Sequence, residues 1–148
     1  MSLGPCEEGR MKRTYSGSCH CGAVRFEATL DLSEGTSRCN CSICAKLRYW
    51  MTFVPEGEFR LLQGADSLTD YQIHDDTVHH RFCGRCGVKT FGRGIADELN
   101  ADVDGDFYAI NVACLDGATD EELAEAPITY LDGRNNDWKS EPAETRYL

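Results

Sequence analysis

Seven of the nine cysteines stand in short groups with the spacing of metal ligands: Cys19-x-Cys21, Cys39-x-Cys41-x2-Cys44 and Cys83-x2-Cys86. Thiols this close in sequence suit a common metal ion better than disulfides, because separate disulfides would need a distant partner for each cysteine. The cysteine total is odd, which also argues against complete pairing. We therefore predict that the chain binds metal through these three groups.

The first and third groups together provide the four thiolates that a structural zinc ion normally takes. Cys83 and Cys86 would lie on a tight turn that Gly84 and Gly87 make possible. In the first group, two cysteines at positions i and i+2 of an extended strand would face the same side. The alternative is two unrelated pairs of buried thiols. We predict one closed structural site, made by Cys19, Cys21, Cys83 and Cys86.

The middle group offers three thiolates, which leaves one position of a tetrahedral zinc ion for water or substrate. Two of its cysteines would share a strand face, and a turn through Ser42 and Ile43 would bring the third to the same ion. A shell of three sulfurs is soft, so it would bind a substrate thiol and favour its thiolate form. We predict that this second zinc is catalytic, with the ligands Cys39, Cys41 and Cys44.

A fourth protein ligand would close the second site and make it structural instead. Cys114 lies in an apolar run typical of a buried side chain, and His20 should face away from the metal of its neighbours. Among the other histidines, His80 is best placed, three residues before Cys83. The candidates for a fourth ligand are Cys6, His20, His74, His79, His80 and Cys114.

Short strands are predicted on both sides of the cysteine groups. Residues 24–30 alternate apolar and polar side chains, the pattern of a half-buried strand. Two short apolar arms flank the third cysteine group as in a hairpin. The strand-like segments are residues 24–30, 49–54, 59–62, 67–73, 78–82 and 88–91, and the longest apolar stretch is 107–115.

One short helix is predicted near the C-terminal end. Thr119 stands three residues before Glu122, the spacing of a capping box, and Pro127 ends the helical stretch. We predict a single, mostly β domain over residues 14–148, preceded by a loose tail at residues 1–13.

The charge and hydropathy of the chain exclude several functions. The net charge is −10, so we expect no binding to nucleic acid or to anionic membranes. No apolar run reaches the ~20 residues of a membrane-spanning helix, and no secretory signal is recognisable, which predicts a cytoplasmic protein. Three basic residues flank the middle cysteine group and would either pair with the carboxylates of an anionic thiol or remain solvated: Arg38, Lys46 and Arg48.

Taken in order, three motifs resemble the family of glutathione-dependent formaldehyde-activating enzymes: Gly17-Ser18-Cys19-His20-Cys21-Gly22-Ala23-Val24-Arg25-Phe26, Cys39-Asn40-Cys41-Ser42-Ile43-Cys44 and Phe82-Cys83-Gly84-Arg85-Cys86-Gly87. The resemblance extends over about residues 14–138. It implies an Mss4-like fold of several coiled antiparallel sheets that zinc holds together. It also implies two zinc ions, a structural one in the first and third motifs and one with an open position in the middle motif.

Three later segments are similar to the centromere protein V branch of that family: Phe59-Arg60-Leu61-Leu62-Gln63-Gly64, Asn111-Val112-Ala113-Cys114-Leu115-Asp116, and Asp132-Gly133-Arg134-Asn135 with Trp138. One segment departs from the formaldehyde-activating type. Where those enzymes usually have a small, glycine-containing stretch, this chain has Leu47-Arg48-Tyr49-Trp50.

The resemblance implies a zinc-dependent carbon–sulfur lyase similar to S-(hydroxymethyl)glutathione synthase. Its substrate would be the adduct of a thiol such as glutathione with a formaldehyde-like carbonyl compound, and the zinc of the middle group would hold the thiolate beside the carbonyl carbon. One alternative is a non-catalytic, zinc-stabilised binding module of the centromere protein V type. Another is a thiol-redox or metal sensor that loses metal reversibly under oxidant. The patterns predict no oligomeric state.

Overall fold

A computed structural model describes residues 12–73, 78–94 and 106–148 of the chain. In these ranges it has ten β-strands and two short α-helices, which confirms the predicted mostly β class. The strands are β1 (Arg13–Ser18), β2 (Arg25–Leu30), β3 (Thr36–Cys39), β4 (Met51–Pro55), β5 (Phe59–Gln63), β6 (Leu68–Tyr71), β7 (Val78–Cys83), β8 (Lys89–Gly94), β9 (Phe107–Asn111) and β10 (Ile128–Leu131), and the helices are α1 (Ser42–Leu47) and α2 (Asp120–Glu125).

The smaller sheet contains three antiparallel strands in the order β1-β2-β5. On β2 the predicted alternation is confirmed, since Phe26, Ala28 and Leu30 are buried. The Phe26 ring stacks on Phe59 of β5 at 5.6 Å between centroids and meets the edge of Phe91 of β8 at 6.4 Å. These contacts join the smaller sheet to the larger one through a shared core.

The larger sheet has the strand order β10-β3-β4-β9-β8-β7-β6. Its pairs are antiparallel, except that β10 runs parallel to β3. Cys39 pairs with Leu131 in this register, so β3 and β10 end side by side. The predicted hairpin around the third cysteine group is also confirmed, because β7 pairs with β8 on either side of the turn.

Helix α2 has the predicted capping box, in which the Glu122 N–H donates to Thr119 Oγ1 at 3.0 Å and the Thr119 N–H donates to Glu122 Oε1 at 2.8 Å.

Helix α1 was not predicted from the sequence. It begins after Cys41 and ends at Arg48, whose φ of 51° is left-handed. Six residues are too few to show helical periodicity in a sequence, and packing of the buried Cys44 stabilises the helix instead. Among the described residues, no helix has the length and apolar character needed to cross a membrane.

Candidate metal centres

Four sulfurs from distant parts of the chain converge in what we call the four-cysteine cluster, and they all lie within 4.8 Å of one another: Cys19, Cys21, Cys83 and Cys86. The Sγ atom of Cys21 is 3.7 Å from that of Cys19 and 3.7 Å from that of Cys83. Four thiolates bound tetrahedrally to zinc at about 2.3 Å would stand about 3.8 Å apart. The cluster therefore has the donor type and spacing to hold a metal ion.

The first two of these cysteines lie in a turn and not on the extended strand that the sequence predicts. Strand β1 ends at Ser18, and the Gly22 N–H then donates to the Cys19 carbonyl at 3.3 Å. Gly22 has a φ of +83°, a conformation that glycine adopts without strain, and it allows the chain to reverse here. The two sulfurs still converge, but the turn is what directs them.

The second pair forms the predicted knuckle at the end of the β7–β8 hairpin. The backbone N–H groups of Arg85 and Cys86 donate to the Cys83 sulfur at 3.3 and 3.5 Å. Gly87, with a φ of +82°, closes the turn through its N–H on the Cys83 carbonyl at 2.8 Å. These contacts orient the Cys83 sulfur toward the other three sulfurs of the cluster.

A second group of sulfurs, the three-cysteine cluster, lies where β3 leads into α1, and its sulfurs are also within 4.8 Å of one another: Cys39, Cys41 and Cys44. Cys39 and Cys44 are buried and Cys41 is half-buried. The Cys41 N–H donates to the Cys39 sulfur at 3.4 Å. This cluster could also hold a metal ion.

The backbone path through this cluster differs from the predicted strand and turn. Cys39 ends β3, Cys41 is the N-cap of α1, and Cys44 lies in the helix. Residues three apart at the start of a helix lie on the same side, so α1 brings the second and third sulfurs together. The prediction that Cys39 and Cys41 share a strand face was wrong because the strand ends at the first cysteine.

The loop that follows β10 is fixed to the three-cysteine cluster by buried polar groups. The Asn40 amide donates to Asp132 Oδ1 at 2.8 Å, and the Arg134 N–H donates to Asn40 Oδ1 at 2.9 Å. The hydrogen bonds from Asn135 and Asn40 lower the pKa of Asp132. Parallel pairing of β3 and β10 makes these contacts possible, because both strands end at the same edge.

Gly133 in this loop lies directly against the cluster. A Cβ atom at this position would stand 2.6 Å from the Cys39 sulfur and 2.8 Å from the Trp138 ring. These distances are well inside van der Waals contact, so only glycine allows the loop backbone to approach the sulfur. The loop therefore restricts where the Cys39 sulfur can move.

We expect Gly133→Ala to displace the Cys39 sulfur and to weaken metal binding at the three-cysteine cluster. Overpacking of this kind typically costs about 1–3 kcal/mol. Metal content after dialysis would measure the loss of metal binding, and urea unfolding would measure the loss of stability. Gly117→Ala is the matched control, because a Cβ at Gly117 meets nothing within 4 Å. Equal metal content and stability in the two variants would contradict the proposed contact.

A cleft of about 240 Å³ lies beside α1, and we call it the α1 cleft. Ile43, which stands between two cysteines of the three-cysteine cluster, forms part of its wall. The rest of its wall is mostly apolar, apart from the side chains of His80 and Lys89. The residues that line the α1 cleft are Ile43, Leu47, Tyr71, His80, Phe82, Gly87 and Lys89.

Lys89 at the start of β8 is buried, with 7% of its surface exposed. Its Nζ lies 3.9 Å from the centre of the Tyr49 ring and 2.7 Å from His80 Nδ1. Burial lowers the pKa of Lys89 to about 8, although the negative charges of Cys44 and Cys41 act in the opposite direction. Burial and the neighbouring Lys89 charge lower the pKa of His80 to about 4, so His80 is neutral near pH 7.

Comparison with known proteins identifies the family to which these clusters belong. Residues 14–131 match the sequence model of the family described as glutathione-dependent formaldehyde-activating enzyme. This range contains all seven clustered cysteines. The chain belongs to this family. The resemblance noted in the sequence is thereby confirmed for the family, and the centromere protein V branch stays a prediction.

Two relatives show how far similarity within the formaldehyde-activating family extends. A Halomonas elongata protein, provisionally named a glutathione-dependent formaldehyde-activating enzyme, is 35% identical over 78 residues, which are 47% of this chain and 50% of that protein. The chain thus spans about half the length of this curated relative. A crystal structure of a Rhodobacter sphaeroides protein is 33% identical, with a TM-score of 0.62 over 77% of this chain and 99% of that chain.

Of the described candidates for a fourth ligand, His80 lines the α1 cleft with its Nδ1 2.7 Å from Lys89 Nζ, and the others lie elsewhere. His20 is exposed, and His79 Nδ1 stands 2.6 Å from Asp70 Oδ2. Cys114 is buried, its thiol donates to the Lys89 carbonyl at 3.6 Å, and burial raises its pKa to about 12. Within the described ranges, the three-cysteine cluster gathers no further Cys, His, Asp or Glu ligand. Cys6 and His74 lie outside the described residues.

Of the basic residues flanking the three-cysteine cluster, Lys46 and Arg48 are exposed, and the Arg38 guanidinium packs on the Trp50 ring at 5.2 Å.

Sequence reasoning missed Lys89 and Gly133 as residues of interest around the three-cysteine cluster. A signal for Lys89 was the placement of a lysine directly in an otherwise apolar hairpin arm. Gly133 stood only within a segment similar to the centromere protein V branch, and its contact with Cys39 depends on the parallel pairing of two distant strands.

Proposed function

We propose that this chain is a zinc-dependent carbon–sulfur lyase, which forms and cleaves the adduct of a thiol such as glutathione with a small carbonyl compound such as formaldehyde. The observation that carries the proposal is the three-cysteine cluster, which stands beside a cleft and has no fourth ligand among the described residues. Membership of the formaldehyde-activating family and the name of the Halomonas relative support this substrate class.

Both clusters suit zinc because each donor set is made only of cysteine sulfurs, which lie within 4.8 Å of one another. We assign a structural ion to the four-cysteine cluster and a second ion to the three-cysteine cluster, with one position left for substrate. When bound there, the second zinc would supply a Lewis acid that lowers the pKa of a substrate thiol.

The protein itself positions the reactants. Asn40 and Gly133 hold the start of the cluster against the loop after β10, so the Cys39 sulfur has little freedom to move. Ile43 of α1 packs against the apolar cluster that contains Cys39 and Cys44 and also lines the α1 cleft, so it provides an apolar wall on that side of the cluster. Holding a thiolate and a carbonyl carbon together in this way contributes several kcal/mol to the rate of a two-reactant addition.

An exchange experiment tests this function. In a mixture of glutathione and ¹³C-formaldehyde, NMR would follow the exchange of the labelled carbon between free formaldehyde and its glutathione adduct. We expect the zinc-loaded protein to accelerate this exchange above the rate in buffer, and S-methylglutathione to give no exchange because it lacks a thiol. Exchange at the buffer rate with fully zinc-loaded protein would contradict the proposed lyase and favour a binding module.

A further inference from the structure

Lys89 is a buried cation, and among the described residues it has no carboxylate partner. Burial lowers its pKa, and the negative charges of Cys44 and Cys41 act in the opposite direction, toward its protonated form. Three thiolates carry one more negative charge than a divalent ion neutralises, so a cation nearby is electrostatically favourable. Lys89 and the three-cysteine cluster thus form one electrostatic unit.

One of the three N–H donors of Lys89 is used by neither His80 nor Tyr49. A lysine ammonium has three N–H donors. One is used by His80 Nδ1 at 2.7 Å, and another faces the Tyr49 ring at 3.9 Å from its centre. The Tyr49 hydroxyl cannot accept in place of its ring, because it is fixed to the Ala109 carbonyl at 2.6 Å. Lys89 also lines the α1 cleft, so a molecule bound there could accept from the remaining donor.

The α1 cleft extends from Lys89 to Ile43, which packs against the apolar cluster that contains Cys39 and Cys44. Ile43, which separates Cys41 from Cys44 in sequence, and Lys89 line the same cleft. The Tyr49 ring packs in one apolar cluster with Cys39 and Cys44, and it also contacts the Lys89 ammonium at 3.9 Å from its centre. A substrate that reached from the cluster past Ile43 into the α1 cleft would therefore meet Nζ.

We propose that Lys89 is a further catalytic residue, whose ammonium binds the carbonyl-derived oxygen of the substrate and gives it a proton. This inference rests on the proposed lyase function. His80 positions the ammonium by accepting one of its hydrogen bonds. The substrate recognised is a thiol adduct with an oxygen on the carbon next to sulfur.

The proposed step balances without any oxidant or reductant. The thiolate sulfur forms a bond to the carbonyl carbon, and the electron pair of the carbon–oxygen π bond moves to the oxygen. The oxygen takes a proton from Lys89, which becomes a neutral amine. The proton that the thiol released on binding then restores the ammonium. In the cleavage direction the amine accepts the hydroxyl proton as the carbon–sulfur bond breaks.

The rate test compares Lys89→Met, which removes the charge and the donors, with Lys89→Arg, which keeps both. We expect Lys89→Met to lower the accelerated exchange rate roughly 100-fold, the usual effect of losing an acid or an oxyanion donor. Lys89→Arg should restore about a tenth of the wild-type rate, because a guanidinium binds the oxygen but gives up its proton poorly. Lys12→Met, which removes an exposed lysine paired with Glu58, is the matched control.

A binding measurement provides a readout independent of turnover. Thioglycolate has a thiol and a nearby carboxylate oxygen, whereas ethanethiol has only the thiol. With cobalt-substituted protein, we expect wild type and Lys89→Arg to bind thioglycolate about tenfold more tightly than ethanethiol, by the strength of one charged hydrogen bond. Lys89→Met should bind the two thiols equally.

The outcomes separate this inference from the lyase proposal. Wild-type exchange rates or an unchanged preference for thioglycolate in folded Lys89→Met would overturn the role of Lys89 and leave the lyase proposal intact. Absence of acceleration in the wild type would overturn the lyase and this inference together.

Discussion

Cys83→Ser should lower the free energy of unfolding by about 5 kcal/mol, a large part of what a domain of this size possesses. Cys83 is fully buried, ends β7, and accepts two backbone N–H groups at its sulfur. The serine hydroxyl is a poor zinc ligand, so the four-cysteine cluster would lose its ion. The turn after β1 would then lose its link to the β7–β8 hairpin. Urea unfolding followed by circular dichroism measures the change.

Cys114→Ala is the control for this prediction, because Cys114 is a buried cysteine outside both clusters. It should lose only packing energy, about 1–2 kcal/mol, and keep its metal. A chelator should reduce the stability of wild type and Cys114→Ala to nearly that of Cys83→Ser. If Cys83→Ser were as stable as Cys114→Ala, the cluster would not be structural.

Cys41→Ser should abolish catalysis while leaving the fold intact. Cys41 is half-buried at the N-terminus of α1, where serine is a good N-cap, so the helix should still form. Loss of one of three sulfurs should release the second zinc, and the metal content should fall from two ions per chain to one. We expect at least about a 1000-fold loss of the accelerated exchange rate, since both the Lewis acid and the thiolate position disappear.

Ser42→Ala provides the control for Cys41→Ser, because it alters the exposed neighbouring residue at the first position of the same helix. It should retain two zinc ions and the wild-type exchange rate. Metal analysis and the formaldehyde exchange experiment measure both variants. A Cys41→Ser protein that lost its zinc yet kept its activity would show that the chemistry lies elsewhere.

The cysteine clusters could be predicted from the sequence because spacing alone limits which sulfurs can meet. Cys83 and Cys86 need only the turn between them, and the glycines that permit it are adjacent. The path through the other groups was harder to predict. Cys19 and Cys21 lie in a turn, and Cys41 caps a helix of six residues, because tertiary packing outweighs local pattern in such short segments.

The surroundings of the three-cysteine cluster could not be predicted because they depend on register between distant strands. Gly133 reaches Cys39 only because β10 runs parallel to β3, and the sequence pattern does not distinguish a parallel edge pair from an antiparallel one. Lys89 meets His80 across the hairpin beside a bulge at Arg81 and Phe82. A bulge changes which side chains meet, and it had no sequence signal here.

The most direct test of the central claim is a thiol titration of cobalt-substituted protein, followed by absorption spectroscopy. We predict two cobalt ions per chain, of which one responds to glutathione with a change that saturates at one thiol per chain. S-methylglutathione should leave the spectrum unchanged, and so should glutathione added to Cys41→Ser. Two sites with the spectra of closed tetrathiolate centres, neither of them altered by glutathione, would contradict the account.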